Sequence, residues 1–264
     1  MREVIGRGFL AEYLRQHLPS DVSATILAAG VSDTSETSPE RFRREAAMVS
    51  ETAVRCRESG RLLVFLSSAA TGIYGREGEG REDSRVAPVS PYGQHKLAME
   101  RLVANSGAHW LTLRLSHVVG PRQNPAQLFP SLVRQVHSGT VMVHRGARRD
   151  LMGVHHFATV LNRLLALGVR DRTVNVASGV AFPVDQIVTA LETEMGRSAN
   201  RTFLDVPPET LCISNQRMWA LVPEVADFGF GPRYLDSLVR RYVGRQAGEY
   251  LENSPHGHGD WGDT

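Results

Sequence analysis

The chemistry in this chain is concentrated in Tyr92, Lys96 and the serine pair Ser67-Ser68. Tyr92 and Lys96 are four positions apart, so on a helix they share one face, a turn from each other. An ammonium beside a phenol stabilises the phenolate, so such a tyrosine can give or take a proton at an oxygen being reduced or oxidised. Hydride transfer at a carbonyl or alcohol requires that proton. A serine hydroxyl at a strand end can hydrogen-bond the same oxygen. Tyr-x-x-x-Lys also arises by chance on surface helices, so its meaning depends on the sequence around it.

Those side chains need a frame. Glu3-Val4-Ile5 is a short apolar strand that runs into Gly6-Arg7-Gly8-Phe9-Leu10-Ala11 and a helix to about Leu18. A strand, a Gly-x-Gly-x-x-Ala turn and a helix form the dinucleotide-binding layout. Gly6 permits the tight turn, Gly8 lets backbone approach the pyrophosphate, Ala11 allows close packing, and the helix N-terminus faces the phosphates. Residues 24–30 read as the next parallel strand, and its small end, Ala28, Ala29 and Gly30, leaves room for a cofactor across the strand ends. Between Leu18 and Ala24 there is space for a turn only. The usual second strand, with an acidic residue for the ribose about 20 positions past the glycines, is missing. Asp21 is nearest by number but reads as a turn residue.

Further along, residues 39–59 predict a helix with Phe42, Ala46, Val49, Ala53 and Cys56 on a core-facing stripe. Residues 62–66 predict a buried parallel strand that delivers Ser67 and Ser68 to its carboxyl end, where open α/β sheets bind ligands. A charged loop over 76–90 leads to the Tyr92 helix. Strands follow at 110–116, 140–144, 151–154 and 173–176, with a turn at 118–121 and helices at 127–137, 156–167, 182–196 and 235–243. The fold class is therefore α/β, a Rossmann-like doubly wound parallel sheet with one strand-helix unit lost and a small C-terminal lobe. Residues 1–178 would bind the cofactor, with 122–150 contributing to the substrate cleft, and 179–244 would form a substrate lobe. From 245 onwards periodicity stops, which predicts a disordered tail in which His256 and His258 are solvated.

Composition narrows the class. The 264 residues carry 30 Lys and Arg against 28 Asp and Glu, a net charge of +2 that argues against a dedicated nucleic-acid binder. Cys56 and Cys212 have no ligand spacing around them, so no metal site and no disulfide framework are expected. No apolar run approaches a membrane span and the start lacks a signal-peptide layout, so the expected setting is cytoplasmic.

Taken in order, several pieces resemble the extended short-chain dehydrogenase/reductases, in particular the NAD-dependent epimerase/dehydratase family acting on nucleotide sugars. They are the 6–11 turn, Leu27-Ala28-Ala29, Leu66-Ser67-Ser68, Ile73-Tyr74-Gly75, Ser90-Pro91-Tyr92-Gly93-Gln94-His95-Lys96, Leu113-Arg114-Leu115, Val119-Gly120-Pro121 and Arg149-Asp150. The resemblance implies that Tyr92 is the proton donor or acceptor and that Lys96 holds the nicotinamide ribose. Ser68, 24 positions before Tyr92, best matches the catalytic hydroxyl, with Ser67 and Thr71 as fallbacks. It implies a cofactor, NAD or NADP, against Gly6, Arg7, Gly8, Phe9, Leu10, Ala28, Ala29, Gly30, Ser67, Tyr92, Lys96, Val118 and Val119. Arg122, Asn124 and Arg149 lie where the family contacts the nucleotide diphosphate, and His117 stands where it often has a substrate-binding asparagine.

There are departures as well. Ala69 and Ala70 occupy the place of the acidic pair used by the sugar dehydratases, which argues against elimination of water. His155-His156 stands where the family often has paired aspartates, with no function legible. Three readings follow: a reductase of a keto group on a nucleotide-linked sugar, an epimerase with retained NAD, and a non-catalytic binding protein. Survival of the serine, tyrosine and lysine favours the enzymes, and the shortened adenosine region favours the reductase. Arg7 leans the cofactor towards NADPH. A homodimer through the exposed faces of helices 39–59 and 92–105 is a further expectation from the resemblance.

Overall fold

The structure, a computed structural model, describes residues 2–69, 71–88 and 90–243. Its elements in order are β1 (Glu3–Ile5), α1 (Phe9–His17), β2 (Ala24–Leu27), α2 (Pro39–Ser59), β3 (Leu62–Ser68), α3 (Thr71–Tyr74), β4 (Glu79–Gly80), α4 (Pro91–Ala104), β5 (Trp110–Leu115) and β6 (His117–Val119). Then come α5 (Leu128–Ser138), β7 (Thr140–Arg145), β8 (Arg148–Gly153), α6 (Val154–Ala166), β9 (Arg172–Val176), β10 (Ala181–Pro183), α7 (Val184–Met195), β11 (Asn200–Asp205), β12 (Cys212–Ile213), α8 (Gln216–Leu221), a 3-10 turn at Pro223–Phe228 and α9 (Tyr234–Tyr242).

Strands that are apolar on both sides need cover on both faces. The parallel sheet β1-β2-β3-β5-β9 has that cover. Ile26, Val64, Leu111 and Leu113 pack towards α1 and α6, whereas Leu27, Leu63 and Phe65 pack towards α2 and α4. The Rossmann-like parallel sheet expected from the sequence is present, and no strand lies between β1 and β2. Beyond it, β6 pairs in parallel with β8 and β10 runs antiparallel to β8, while β7 pairs with β11 and β4 with β12. The 118–121 turn of the sequence reading is partly this short strand β6, and β11 and β12 were not foreseen.

The shortened sheet has a topological consequence. The connections β1-α1-β2 and β2-α2-β3 step the same way across the sheet, yet α1 and α2 lie on opposite faces. They are therefore of opposite hand, and one departs from the right-handed rule that nearly all parallel connections obey. Loss of a unit between α1 and β2 produces this arrangement. Helix α1 keeps the face from which a strand beyond β1 would be reached, and the chain turns back instead. The exposed edge left at β1 is covered by Arg15, whose guanidinium donates to the carbonyls of Val4 (3.0 Å) and Gly6.

Helix α9 docks on α6 through the histidine pair. Tyr242 and Tyr234 hydroxyls meet Nδ1 of His155 and His156, each at 2.8 Å, and the two imidazoles lie 3.8 Å apart. Tyr234 also accepts from the Gly153 N–H (2.9 Å), so its hydroxyl joins the end of β8 to His156. Burial pushes His155 down to about 3 and His156 to about 4, with His156 and Arg241 adding repulsion at the former and Arg241 at the latter. Their role is structural.

An imidazole neutral in the fold but free to charge in the unfolded chain contributes stability that is complete above pH ~6.5 and lost as the pH falls towards its folded value. Buried Asp150, raised to about 6, works in the opposite direction, but it is one group against two histidines and His117, itself pushed down to about 4. The melting temperature should therefore fall between pH 7 and pH 5, and less steeply in the His155→Phe/His156→Phe variant. Equal slopes would contradict this account.

Candidate active site

Helix α4 starts where Ser90 Oγ accepts the Gly93 N–H (3.1 Å), with Pro91 at the first helical position. That start places Tyr92, Lys96 and Glu100 on one buried face, a turn apart each time. A Cβ at Gly93 would lie 1.7 Å from the Gly72 carbonyl oxygen, so α3 and α4 touch backbone to backbone beside Tyr92. Only glycine fits there.

Glu100 seats the helix on the sheet. Its carboxylate takes Arg114 Nη2 (2.7 Å) and Nε (3.0 Å), and it accepts the Ser67 hydroxyl. Arg114 also reaches the Tyr74 hydroxyl (2.8 Å), which donates to Asn175 Oδ1 (2.7 Å). Burial disfavours the guanidinium charge, but Glu100 outweighs it and holds Arg114 above the ordinary arginine range. The motif arginine and the tyrosine of Tyr74-Gly75 therefore position α4 rather than a ligand, and Ser67 is engaged by Glu100.

Lys96 is held from the other side. Its Nζ lies 2.7 Å from Glu45 Oε1, while Oε2 of the same carboxylate takes His95 Nε2 (3.0 Å) and the Val31 N–H (2.8 Å). Burial alone would raise the Glu45 carboxyl; the hydrogen bond from His95 and the charge and hydrogen bond of Lys96 bring it below its ordinary value. Lys96 Nζ is 5.8 Å from the centre of the Tyr92 ring. The spacing thus delivers an ammonium beside the phenol, but one already paired with a carboxylate. Sequence reasoning missed Glu45, although it stands three after Phe42 and four before Val49, on the apolar stripe of α2. A charge on a buried stripe was the available signal.

A cavity of about 360 Å³ opens over the carboxyl ends of β2, β3 and β5. Its wall gathers Phe9, Leu10, Ala28, Ala29, Gly30, Ser67, Ser68, Tyr92, Lys96, His117, Val118, Val119, Asn124 and Arg149. Gly6 and Gly8 form the turn behind it; Gly6 has φ +139° and a Cβ there would meet the Ala28 carbonyl at 2.3 Å, whereas a Cβ at Gly8 would meet nothing within 4 Å. Several sequence candidates fall elsewhere. Arg7 is exposed and outside the wall, as is Arg122, which lies 3.9 Å from Glu12. Asp21 is in an exposed turn. The side chain of Thr71 and the tail histidines His256 and His258 lie outside the described residues.

The far end of the cavity is polar but largely fixed. Burial and the nearby Arg149 push His117 down to about 4, so it faces the cavity as a neutral imidazole and does not titrate near pH 7. Arg149 pairs with buried Glu209, which also accepts the Arg148 N–H (3.0 Å), and Asn124 Oδ1 accepts the Ala126 N–H (2.9 Å). Glu209 was not anticipated.

The comparisons agree with this geometry. The model of the NAD dependent epimerase/dehydratase family matches residues 5–177, well over half of the chain. The chain belongs to that family. A curated relative, the uncharacterized UDP-glucose epimerase YtcB of Bacillus subtilis, is 28% identical over 159 residues, covering 57% of this chain and 50% of the relative. The chain thus matches about half the length of that protein. Among solved structures, RMD from Pseudomonas aeruginosa complexed with NADPH superposes with a TM-score of 0.72 at 20% identity, over 92% of this chain and 99% of the other. UDP-glucose 4-epimerase from Thermus thermophilus, complexed with NAD, gives 0.72 at 20% over the same shares. MoeE5 with UDP-glucose and NAD gives 0.73 at 19%, over 93% and 99%. At these identities the superpositions establish the fold.

Breaking a buried ion pair by removing one partner costs about 3–5 kcal/mol, because the other charge stays buried and unpaired. Glu45→Gln should therefore lower unfolding stability by about 3 kcal/mol, and Lys96→Met in the same chain should recover part of it. A double variant as unstable as the sum of the two single variants would show that the pair is not coupled.

Proposed function

We propose that this chain is an NAD(P)-dependent oxidoreductase that reduces a keto group of a nucleotide-linked sugar, with Tyr92 donating the proton. The observation that carries the reading is one cavity lined by Tyr92, Ser68 and Lys96 at the strand ends, with Phe9 and Leu10 from the start of α1, just after the glycine turn, and with His117 and Arg149. The residues suit a nicotinamide cofactor: the turn leaves open space at Gly8, and the small wall of Ala28, Ala29 and Gly30 admits a flat ligand. Such a cofactor, when bound, supplies or accepts a hydride. Everything else falls to the chain.

In the proposed reaction the Tyr92 hydroxyl gives its proton to the substrate oxygen as that oxygen gains electrons, and the Ser68 hydroxyl orients the same oxygen. Lys96, fixed by Glu45, keeps a positive group beside the phenol when the proton has gone. Neutral His117 is available as a hydrogen-bond donor to a sugar hydroxyl, and Arg149 suits a diphosphate. Ala69 stands where an elimination acid would be needed, which argues against a dehydratase. The epimerase reading draws support from the named relative and from UDP-glucose 4-epimerase among the neighbours. The sheet ending at β1 supports the reductase, because an epimerase must keep its cofactor through a keto intermediate. Pairing of two copies through the outer faces of α2 and α4 is part of the same proposal.

Tyr92→Phe should abolish turnover of keto-sugar nucleotides with NADH or NADPH while leaving cofactor affinity within a few-fold, since only the transferable proton is lost. Turnover equal to that of the unaltered chain would place the chemistry elsewhere. Interconversion of UDP-sugars with no net consumption of added cofactor would select the epimerase.

A further inference from the structure

Resting on the nicotinamide reading above, we propose that the chain grips only the nicotinamide mononucleotide half of its cofactor and leaves the adenosine half in solvent. A doubly wound sheet holds a dinucleotide across the point where strand order reverses, and the strand beyond β1 supplies the ribose-binding carboxylate. Here the order β1-β2-β3-β5-β9 never reverses, and among the described residues no strand pairs with the outer edge of β1. Arg15 occupies that edge instead, donating to the Val4 and Gly6 carbonyls.

Chain direction removes the remaining acidic candidate. Helix α1 runs back from the carboxyl end of β1, so the turn carrying Asp21 lies at the amino ends of the strands, opposite the cavity. No residue from 11 to 27 reaches the cavity wall; α1 contributes only Phe9 and Leu10, at its N-terminus. A phosphate fits there, over the open space at Gly8, and the nicotinamide nucleoside fits the stretch from Ala28 to Lys96 and Val119. Nothing equivalent awaits an adenosine.

A second cavity of about 460 Å³ adjoins the first beyond Gly30–Asp33 and is a rival berth, with Met48 as an apolar platform. Its two guanidinia are paired at the surface, Arg41 with Glu36 and Arg44 with Glu40, and two acidic residues, Asp33 and Glu45, are also in its lining. That lining offers no uncompensated positive charge to a nucleotide phosphate.

The test is a set of fluorescence titrations of the full chain with NADH, NADPH and reduced nicotinamide mononucleotide, with AMP as competitor. The three dissociation constants should agree within about tenfold, AMP should displace none of them, and Arg15→Ala and Met48→Ala should leave the ratios unchanged. Either dinucleotide binding more than tenfold tighter than the mononucleotide would overturn the inference while leaving the nicotinamide reading intact. So would a selective loss of dinucleotide affinity in either variant, which would also locate the adenosine. Failure of all three to bind at millimolar concentration would overturn the nicotinamide reading itself.

Discussion

A carboxylate buried beneath the active helix governs this site. Taking Glu45 and Lys96 out of water is unfavourable for each charge alone, and the pair is tolerated because each satisfies the other at 2.7 Å with His95 and the Val31 N–H completing the shell. Three pieces of chain are thereby tied together: α2, α4 and the loop after β2. The lysine is consequently neither mobile nor an uncompensated cation.

One turn further along the same face of α4 the device recurs. Glu100 and Arg114 pair under the helix, draw in Ser67 and Tyr74, and reach Asn175 on the last strand of the sheet. The helix that carries Tyr92 is therefore clamped between two buried ion pairs, and the Gly93–Gly72 contact sets how far it can approach α3. Such precision at the proposed proton donor suits a reaction at one substrate oxygen, since small displacements of reacting groups are costly. Beyond the glycine turn the sheet ends at β1, and in the proposed reading no wall is left there for the second half of a dinucleotide. The two halves of the site are thus unequal: rigid where the chemistry is proposed, open where affinity would ordinarily be gathered.

Much of this was legible in the sequence, and the reasons are local. The α2 span follows from Ser38-Pro39 at its start and Gly60 at its end, where a left-handed cap is required. The buried strands are readable because they are apolar on both faces, and the missing unit is readable as the short gap between Leu18 and Ala24. The Tyr-Lys pair and the strand-end serines were also visible, since type and spacing suffice for them. What escaped detection was side-chain pairing across long sequence distance. Glu45 with Lys96, Glu100 with Arg114 and Glu209 with Arg149 are each set by tertiary packing. Spacing along one element cannot reveal them, so Arg114 read as part of a motif without a role and Arg7 and Arg122 read as ligand contacts although they lie outside the cavity wall. Strand β11 is exposed along nearly its whole length and β12 has 2 residues, so neither carries enough periodicity to be recognised.

The proposed redox chemistry at a nucleotide-linked sugar has one direct measurement. Reduced cofactor carrying deuterium at the nicotinamide C4 position would be incubated with the chain and a keto-sugar nucleotide, and the sugar product examined by mass spectrometry and NMR. The account predicts deuterium on the carbon that bore the keto group, with none when Tyr92 is phenylalanine. A chain that binds the reduced cofactor yet transfers no label to any keto-sugar nucleotide tried would contradict it.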